Sequence, residues 1–461
     1  MTFYSLPFLL FFIVFSIALA SVKSAKVQKY IYVIANIVFY AYWDYRFLIL
    51  LFGVVVLCYC CACLYEKANK RRYIYFSVVI CLVVLGIFKY FNFFSETFSL
   101  AFGISDHVTL DIILPLGISF YLFQAMSYLF DVMYGKVVPE KDFVKLAAYI
   151  SFFVQITSGP IVKSKDFLPQ LDRVHRVKKE NVYEGIQLFL VGLTKKVVFA
   201  DRIGVAVDAV YRAPSAYNGI SVLMAVVGYS VQIYCDFSGY SDMAIGIAKI
   251  WDFDLGKNFN LPYLAKNPSD FWRRWHISLS TWFRDYVYIP LGGSRNGKWR
   301  TYFNLFITMV LSGIWHGANI TFIIWGIVHG IGAVVNRAIN DFMKRRNIKV
   351  SLPHGVAISL NFIFVSLAWI VFRANSLAEA NSIFMSLFNL DGINYINVYA
   401  VIYIVVLAIV NIFSLKRNGG DVFIINMDLD RFKNKLILAT WVWLIVMFMY
   451  CGNSAFIYAQ F

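Results

Sequence analysis

Apolar runs long enough to cross a hydrocarbon core, which takes about 20 helical residues, recur from one end of this chain to the other. They begin at Leu6 to Ala20 and return at Ile112 to Phe130, Ile186 to Ala200, Gly219 to Cys235, Tyr302 to Ile314, Ile320 to Val335, Val356 to Phe372, Asn397 to Phe413 and Leu436 to Tyr450. The polar positions between them are dominated by Lys and Arg. Lys23, Lys26 and Lys29 follow the first run, and Lys67, Lys70, Arg71 and Arg72 follow the third helix of the chain, the nearly bare turn Asp44 to Arg46 lying between these two basic loops. By the positive-inside rule these loops are expected in the cytoplasm. The stretch Ser95 to Asp111, with three acids and no Lys or Arg, reads as an outside loop. No basic residue precedes Leu6, so a retained first span is expected there rather than a cleaved signal. Both termini are then expected outside.

One segment resists this alternation. Leu146 to Val162 is apolar but lies between two basic loops, the first holding Lys136, Lys141 and Lys145, the second Lys163, Lys165, Arg173, Arg176, Lys178 and Lys179. A re-entrant segment broken at Gly159-Pro160 resolves the conflict, because irregular backbone at membrane depth is tolerated where it is buried in protein or lines a wet cavity. Residues 251–300 carry eight Lys and Arg together with Trp272, Trp275 and Trp282. That mixture predicts a cytoplasmic face of interfacial helices with indoles at headgroup depth.

Composition agrees with the pattern. Sixty per cent of the 461 residues are hydrophobic and 18% aromatic, and mean hydropathy is +0.66, whereas a soluble domain is about half apolar. The formal charge of +16 sits in short loops rather than in a basic stripe with stacking aromatics, so nucleic acid is not an expected partner. Cys58, Cys60, Cys61 and Cys63 spread around a helix with no His or carboxylate beside them; they read as small apolar filler rather than a metal site or disulfide framework. H-E-x-x-H, Walker A, G-x-G-x-x-G and G-x-S-x-G signatures are all missing from the sequence, which argues against a metalloenzyme, ATP-driven pump or serine hydrolase.

Candidate chemistry falls on histidine. Of six histidines, His276, His316 and His329 lie in membrane or interfacial segments, where an ionisable group is a functional hypothesis by default. His316 stands in Leu311-Ser312-Gly313-Ile314-Trp315-His316-Gly317-Ala318-Asn319, with glycines that admit close approach. The bland alternative is a core histidine satisfied by a nearby carbonyl, and His329 exemplifies it. On a single helix the two would be separated by about 20 Å, too far to share a reaction centre.

The block Asp270 to Tyr286, the Ile289-Pro290-Leu291-Gly292-Gly293 turn and Trp315-His316-Gly317-Ala318 resemble the membrane-bound O-acyltransferase family, in its bacterial alginate and peptidoglycan O-acetyltransferase branch. Tyr234 to Met243, Gly159-Pro160-Ile161, Leu114 to Phe120 and Trp369 to Ala374 extend the resemblance, in order, over most of the chain. It implies one all-α polytopic membrane domain over residues 1–461 in a bacterial cytoplasmic membrane, a ring of about 11–13 transmembrane helices with re-entrant and interfacial helices around a central funnel. It implies His316 as the catalytic base and His276 as its partner. Arg273, Arg274 and Arg284 are expected to hold an anionic thioester carrier, most simply acetyl-coenzyme A, with Trp282, Asp285 and Asn319 shaping the pocket; the alternative for each arginine is positive-inside anchoring. No permanently bound cofactor and no metal are expected.

Phe456-Ile457-Tyr458-Ala459-Gln460-Phe461 resembles the F-x-Y-x-x-F end of the small membrane peptide that accompanies the D-alanylating members of the family. It implies Tyr458 as an acyl carrier, a phenol being a better leaving group than an alkyl alcohol. A separate extracytoplasmic Ser-dependent (SGNH-like) transferase is the implied partner, besides membrane lipid. The rival class is a transporter or flippase, which would bring internal repeats and midplane charge pairs.

Overall fold

The computed structural model describes residues 1–104, 108–157, 159–348, 352–418 and 430–452. Every regular element among them is helical, apart from a lone bridge between Tyr217 and Ile393. Five helical stretches are long and apolar enough to cross a membrane: Ala25–Ala68, Arg72–Phe102, Gly219–Ile250, Ile320–Arg345 and His354–Arg373. Leu6–Ala20, Phe143–Ile156 and Val398–Phe413 are shorter apolar helices. The chain packs as two units, one of residues 1–189 with 241–256, the other of 190–240 with 257–461.

In the first unit the apolar pattern folds as the sequence reads it, with three departures. The outside loop expected from Ser95 instead continues a helix, Phe91–Phe102, closed by Gly103 in the left-handed region. The span expected from Ile112 begins only at Ile118, because the Leu114-Pro115-Leu116-Gly117 entrance is not helical. Gly117 has φ +67°, and a Cβ there would lie 1.8 Å from the Ile156 carbonyl oxygen. Only glycine lets that backbone approach the broken segment. The break itself comes earlier than Gly159-Pro160: Phe143–Ile150 stops at Ser151 and a single turn, Phe153–Ile156, follows.

Asn36 stabilises the broken backbone from a neighbouring helix. Its amide donates to Ser151 Oγ at 2.9 Å and its oxygen accepts the Phe153 N–H at 2.9 Å, which answers the rule that buried backbone polar groups need partners. Beside it, Phe152, Phe167 and Phe253 pack around Tyr32 and His175, with His175 stacked on Phe253 at 3.9 Å. Both His175 nitrogens face carbonyls, of Trp251 and Gln170, each at 2.7 Å. On Leu48–Ala68, Cys58 and Cys61 point inward while Cys60 is exposed and Cys63 half-buried, all as free thiols. They are spread around the helix as expected.

The second unit is organised by a helical hairpin, Lys298–His316 and Ile320–Arg345. The two arms cross through small residues: a Cβ on Gly313 would meet the Phe322 carbonyl oxygen at 2.3 Å and Gly326 Cα at 3.0 Å. Such close approach is how membrane helices gain packing energy without a hydrophobic drive. His354–Arg373 lies against the second arm, Phe364 filling the space beside Gly332. The helix Gly219–Ile250 runs well past the predicted end at Cys235. Before it, Thr194–Ala200 forms a π-helical turn. Phe432–Phe448 ends against this turn: the Tyr450 N–H donates to Val197 O at 2.9 Å, and Arg202 donates to the carbonyls of Phe448 and Met449.

Candidate active site

The site is assembled in the second unit from an irregular loop and the hairpin bend. Asn258 and His276 are brought together because Ile277 N–H donates to Asn258 O at 2.8 Å and Asn260 N–H to Arg274 O at 2.9 Å, zipping residues 258–260 to 274–277. His276 is fully buried and sits in the left-handed region at φ +43°, a conformation that costs a non-glycine residue about 1–3 kcal/mol and persists at sites the surroundings over-determine.

The loop also sets the imidazole tautomer. Asn258 Oδ1 accepts from the Ser278 backbone N–H at 3.2 Å and from Ser278 Oγ at 2.9 Å. A backbone N–H can only donate, so this atom is the amide oxygen. His276 Nδ1 stands 3.2 Å from the same oxygen and 3.4 Å from Ser278 Oγ; an amide oxygen only accepts, so this setting selects the tautomer protonated at Nδ1. Desolvation by burial pushes the His276 pKa down to about 3, so the ring stays neutral at ordinary pH. Phe237 meets it edge-on at 4.6 Å.

Trp315 links this imidazole to the next, its ring lying 6.3 Å from His276 and 5.0 Å from His316. His316 is the last residue of Lys298–His316 and 3% exposed. Trp325 meets it perpendicularly at 5.0 Å and Phe372 at 5.2 Å. Gly317 leaves the helix and Asn319 starts the next, its Oδ1 accepting from Thr321 N at 3.0 Å while its Nδ2 donates to Asn375 O at 2.8 Å. Asn319 is thus a helix cap that fixes the bend directly after His316.

The bend corrects two expectations. His316 and His329 are not on one helix, and the separation of about 20 Å that a single helix would impose does not apply: both rings touch Trp325, His329 at 4.7 Å. Nor is His329 satisfied by a carbonyl. It is fully buried, and neither of its nitrogens has a hydrogen-bond partner among the described residues, where each buried polar group left unpaired costs about 1–3 kcal/mol.

Of the other residues the sequence nominated, Arg273 and Arg274 share Asp270 at 3.5 and 3.1 Å, with side chains 72% and 31% exposed. Arg284 and Asp285 pair with each other at 2.7 Å. The exposed Arg273 and Arg284 are held by pairs that contribute little energy, so these two guanidinium groups can turn to an anionic ligand, whereas Arg274 also donates to Asn260 O at 3.3 Å. Trp282 packs with Phe283 and Tyr286 at 5.4 and 5.3 Å. Tyr458 lies outside the described residues.

The sequence reading missed a buried ion cluster. Lys196 Nζ contacts Asp236 Oδ1 at 2.6 Å and Asp201 Oδ1 at 2.8 Å, with all three side chains at most 7% exposed. Lys196 and Asp236 are charges set in apolar runs, the one signal that could have found them. The cluster ties the π-helical turn to Gly219–Ile250 one residue before Phe237, the ring against His276.

Residues 35–378 match the model of MBOAT, the membrane-bound O-acyltransferase family. The chain is 38% identical over 398 residues to a protein named probable alginate O-acetylase from Pseudomonas aeruginosa, covering 84% of this chain and 75% of the relative. It is 37% identical to a peptidoglycan O-acetyltransferase of Helicobacter pylori, covering 83% and 78%. A teichoic acid D-alanyltransferase of Bacillus subtilis is 28% identical over 67% of this chain and 79% of its own length. The chain therefore belongs to the membrane-bound O-acyltransferase family, whose members are membrane-embedded acyltransferases.

Proposed function

We propose that this enzyme moves an acetyl group from cytoplasmic acetyl-coenzyme A to an acceptor outside a bacterial cytoplasmic membrane, for O-acetylation of a cell-wall or exopolysaccharide. The observation that carries the reading is the pair of buried imidazoles, His276 and His316, on either side of Trp315. Relatives named for alginate and peptidoglycan O-acetylation support the acetyl group and the polysaccharide class. The basic loop of Arg273, Arg274 and Arg284 suits the anionic end of the donor and a cytoplasmic location.

In this reading His316 takes the proton of the attacking hydroxyl. The oxygen adds to the thioester carbonyl, the tetrahedral adduct collapses with loss of the thiolate, and the thiolate receives a proton. Removing a general base of this kind costs about 10²–10⁴ in rate. The acceptor hydroxyl is Tyr458, which carries acetyl as a phenolic ester to a separate Ser-dependent transferase outside. In support, Tyr450 is held by Val197, next to the Lys196 cluster, and the eight-residue stretch onward can reach at most about 29 Å. Peptidoglycan is the acceptor we place first, with alginate or another exopolysaccharide as the alternative.

The test is intact-protein mass spectrometry after incubation with isotope-labelled acetyl-coenzyme A. Hydroxylamine-sensitive label is expected on the C-terminal peptide of the wild type and none on Tyr458→Phe or on folded His316→Ala. Label persisting on Tyr458→Phe removes the relay, and label persisting on His316→Ala removes the catalytic assignment. Acetyl esters in the wall and capsule of a deletion strain identify the acceptor.

A further inference from the structure

Three rings in the second unit touch one another and carry nitrogens that the fold leaves unpaired. Trp272 lies 5.1 Å from His329 and 5.6 Å from Trp325, and Trp325 lies 4.7 Å from His329. Neither indole N–H and neither imidazole nitrogen finds a hydrogen-bond partner among the described residues. His329 and Trp325 are fully buried. Phe271, Phe364 and Trp369 complete the wall around His329, and a phenylalanine there would pack as well without burying two polar atoms. Polar groups kept in such a place are explained by something that pairs with them.

The box also has a direction. Trp272 is only half-buried and is followed by the exposed Arg273. At the other end, Trp325 stands perpendicular to the His316 ring at 5.0 Å. Trp325 and His329 are one helical turn apart, about 6 Å of rise.

We propose that Trp272, His329 and Trp325 form a subsite for a secondary amide, the first amide of the arm through which the thioester carrier presents its acyl group; this rests on the donor assigned under the proposed function. An indole N–H can only donate, so two of them match the two lone pairs of one amide carbonyl, and the amide N–H is matched by an imidazole lone pair. The donor is then read in three steps: anionic end at Arg273, amide at the three rings, thioester at His316. Specificity follows from the unpaired groups, since a thioester without the amide leaves them as they are.

Thiol release by the reconstituted full-length enzyme tests this, with three acetyl donors: acetyl-coenzyme A, S-acetyl-N-acetylcysteamine, which keeps one amide two carbons from sulfur, and S-ethyl thioacetate, which has none. In His329→Phe and Trp272→Phe the KM for the two amide-bearing donors is expected to rise about tenfold for each hydrogen bond lost, with kcat little changed and the S-ethyl thioacetate parameters unaltered. His329→Asn, which retains a donor and an acceptor, is expected to keep most of the wild-type KM and serves if the Phe variant does not fold. An equal effect on all three donors, or none on any, overturns the subsite while leaving the donor assignment standing. Turnover of S-ethyl thioacetate without turnover of either amide-bearing donor by the wild type overturns the donor assignment and the subsite with it.

Discussion

Replacing His276 by Asn should make the folded protein less sensitive to acid. The imidazole is fully buried with its pKa pushed down to about 3 by desolvation, against 6.5 for the free group. Because the folded value is the lower one, the unfolded chain binds a proton that the folded protein refuses. Stability is therefore unaffected above pH 6.5 and is lost as pH falls below it, by about 1.4 kcal/mol for each pH unit down to about pH 3. Asn carries no such proton. It keeps a donor for Asn258 Oδ1 where Nδ1–H now sits, and it is among the non-glycine residues best suited to φ +43°. The assay is unfolding in detergent followed by tryptophan fluorescence at pH 7.5, 6.5, 5.5 and 4.5, with the wild type and the variant compared at each. The difference between them isolates His276 from other histidines, including His175, whose pKa burial also lowers. The expected gap closes or reverses by about 1 kcal/mol from pH 6.5 to 5.5, where the unfolded imidazole passes from half to almost fully protonated, and by about 1.4 kcal/mol from pH 5.5 to 4.5, while acetyl transfer is lost at every pH. Parallel acid profiles would refute the burial and neutral state on which the role of His276 depends.

Four further variants probe the frame. Lys196→Met leaves Asp201 and Asp236 buried without their cation and should cost about 3–5 kcal/mol in the same unfolding assay, whereas the triple variant with Asp201→Asn and Asp236→Asn should recover most of it; a silent Lys196→Met contradicts the cluster. Gly313→Val places a Cβ 2.3 Å from the Phe322 carbonyl oxygen and should cost about 1–3 kcal/mol and displace His316, while Gly53→Ala, with nothing within 4 Å of the added carbon, should unfold no earlier than wild type; equal behaviour of the two would remove the tight crossing.

The helical class and most of the long apolar elements were legible because membrane spans announce themselves by run length alone. What depended on partners was not. The polar run Asp236, Ser238, Ser241 and Asp242 looked like the end of a span, yet all four are buried and the helix continues to Ile250, since Lys196 neutralises part of that charge from 40 residues upstream. The His316 and His329 relationship turned on whether Gly317 to Asn319 breaks the helix, and the Asn319 cap that decides it is a local signal of modest strength. The motif residues identified His276, but its tautomer is set by Asn258, an unremarked polar residue 18 positions earlier whose contact no periodicity encodes. The unpaired nitrogens of Trp272, Trp325 and His329 are visible only once two separate segments are packed together.

Purified enzyme in sealed proteoliposomes, with labelled acetyl-coenzyme A on one face and the acceptor on the other, gives the most direct measure of the central claim. Wild-type protein should pass label to the opposite face, and His316→Ala, unfolding at the wild-type temperature, should pass about 10²-fold less or below. Transfer by folded His316→Ala at the wild-type rate would contradict the account.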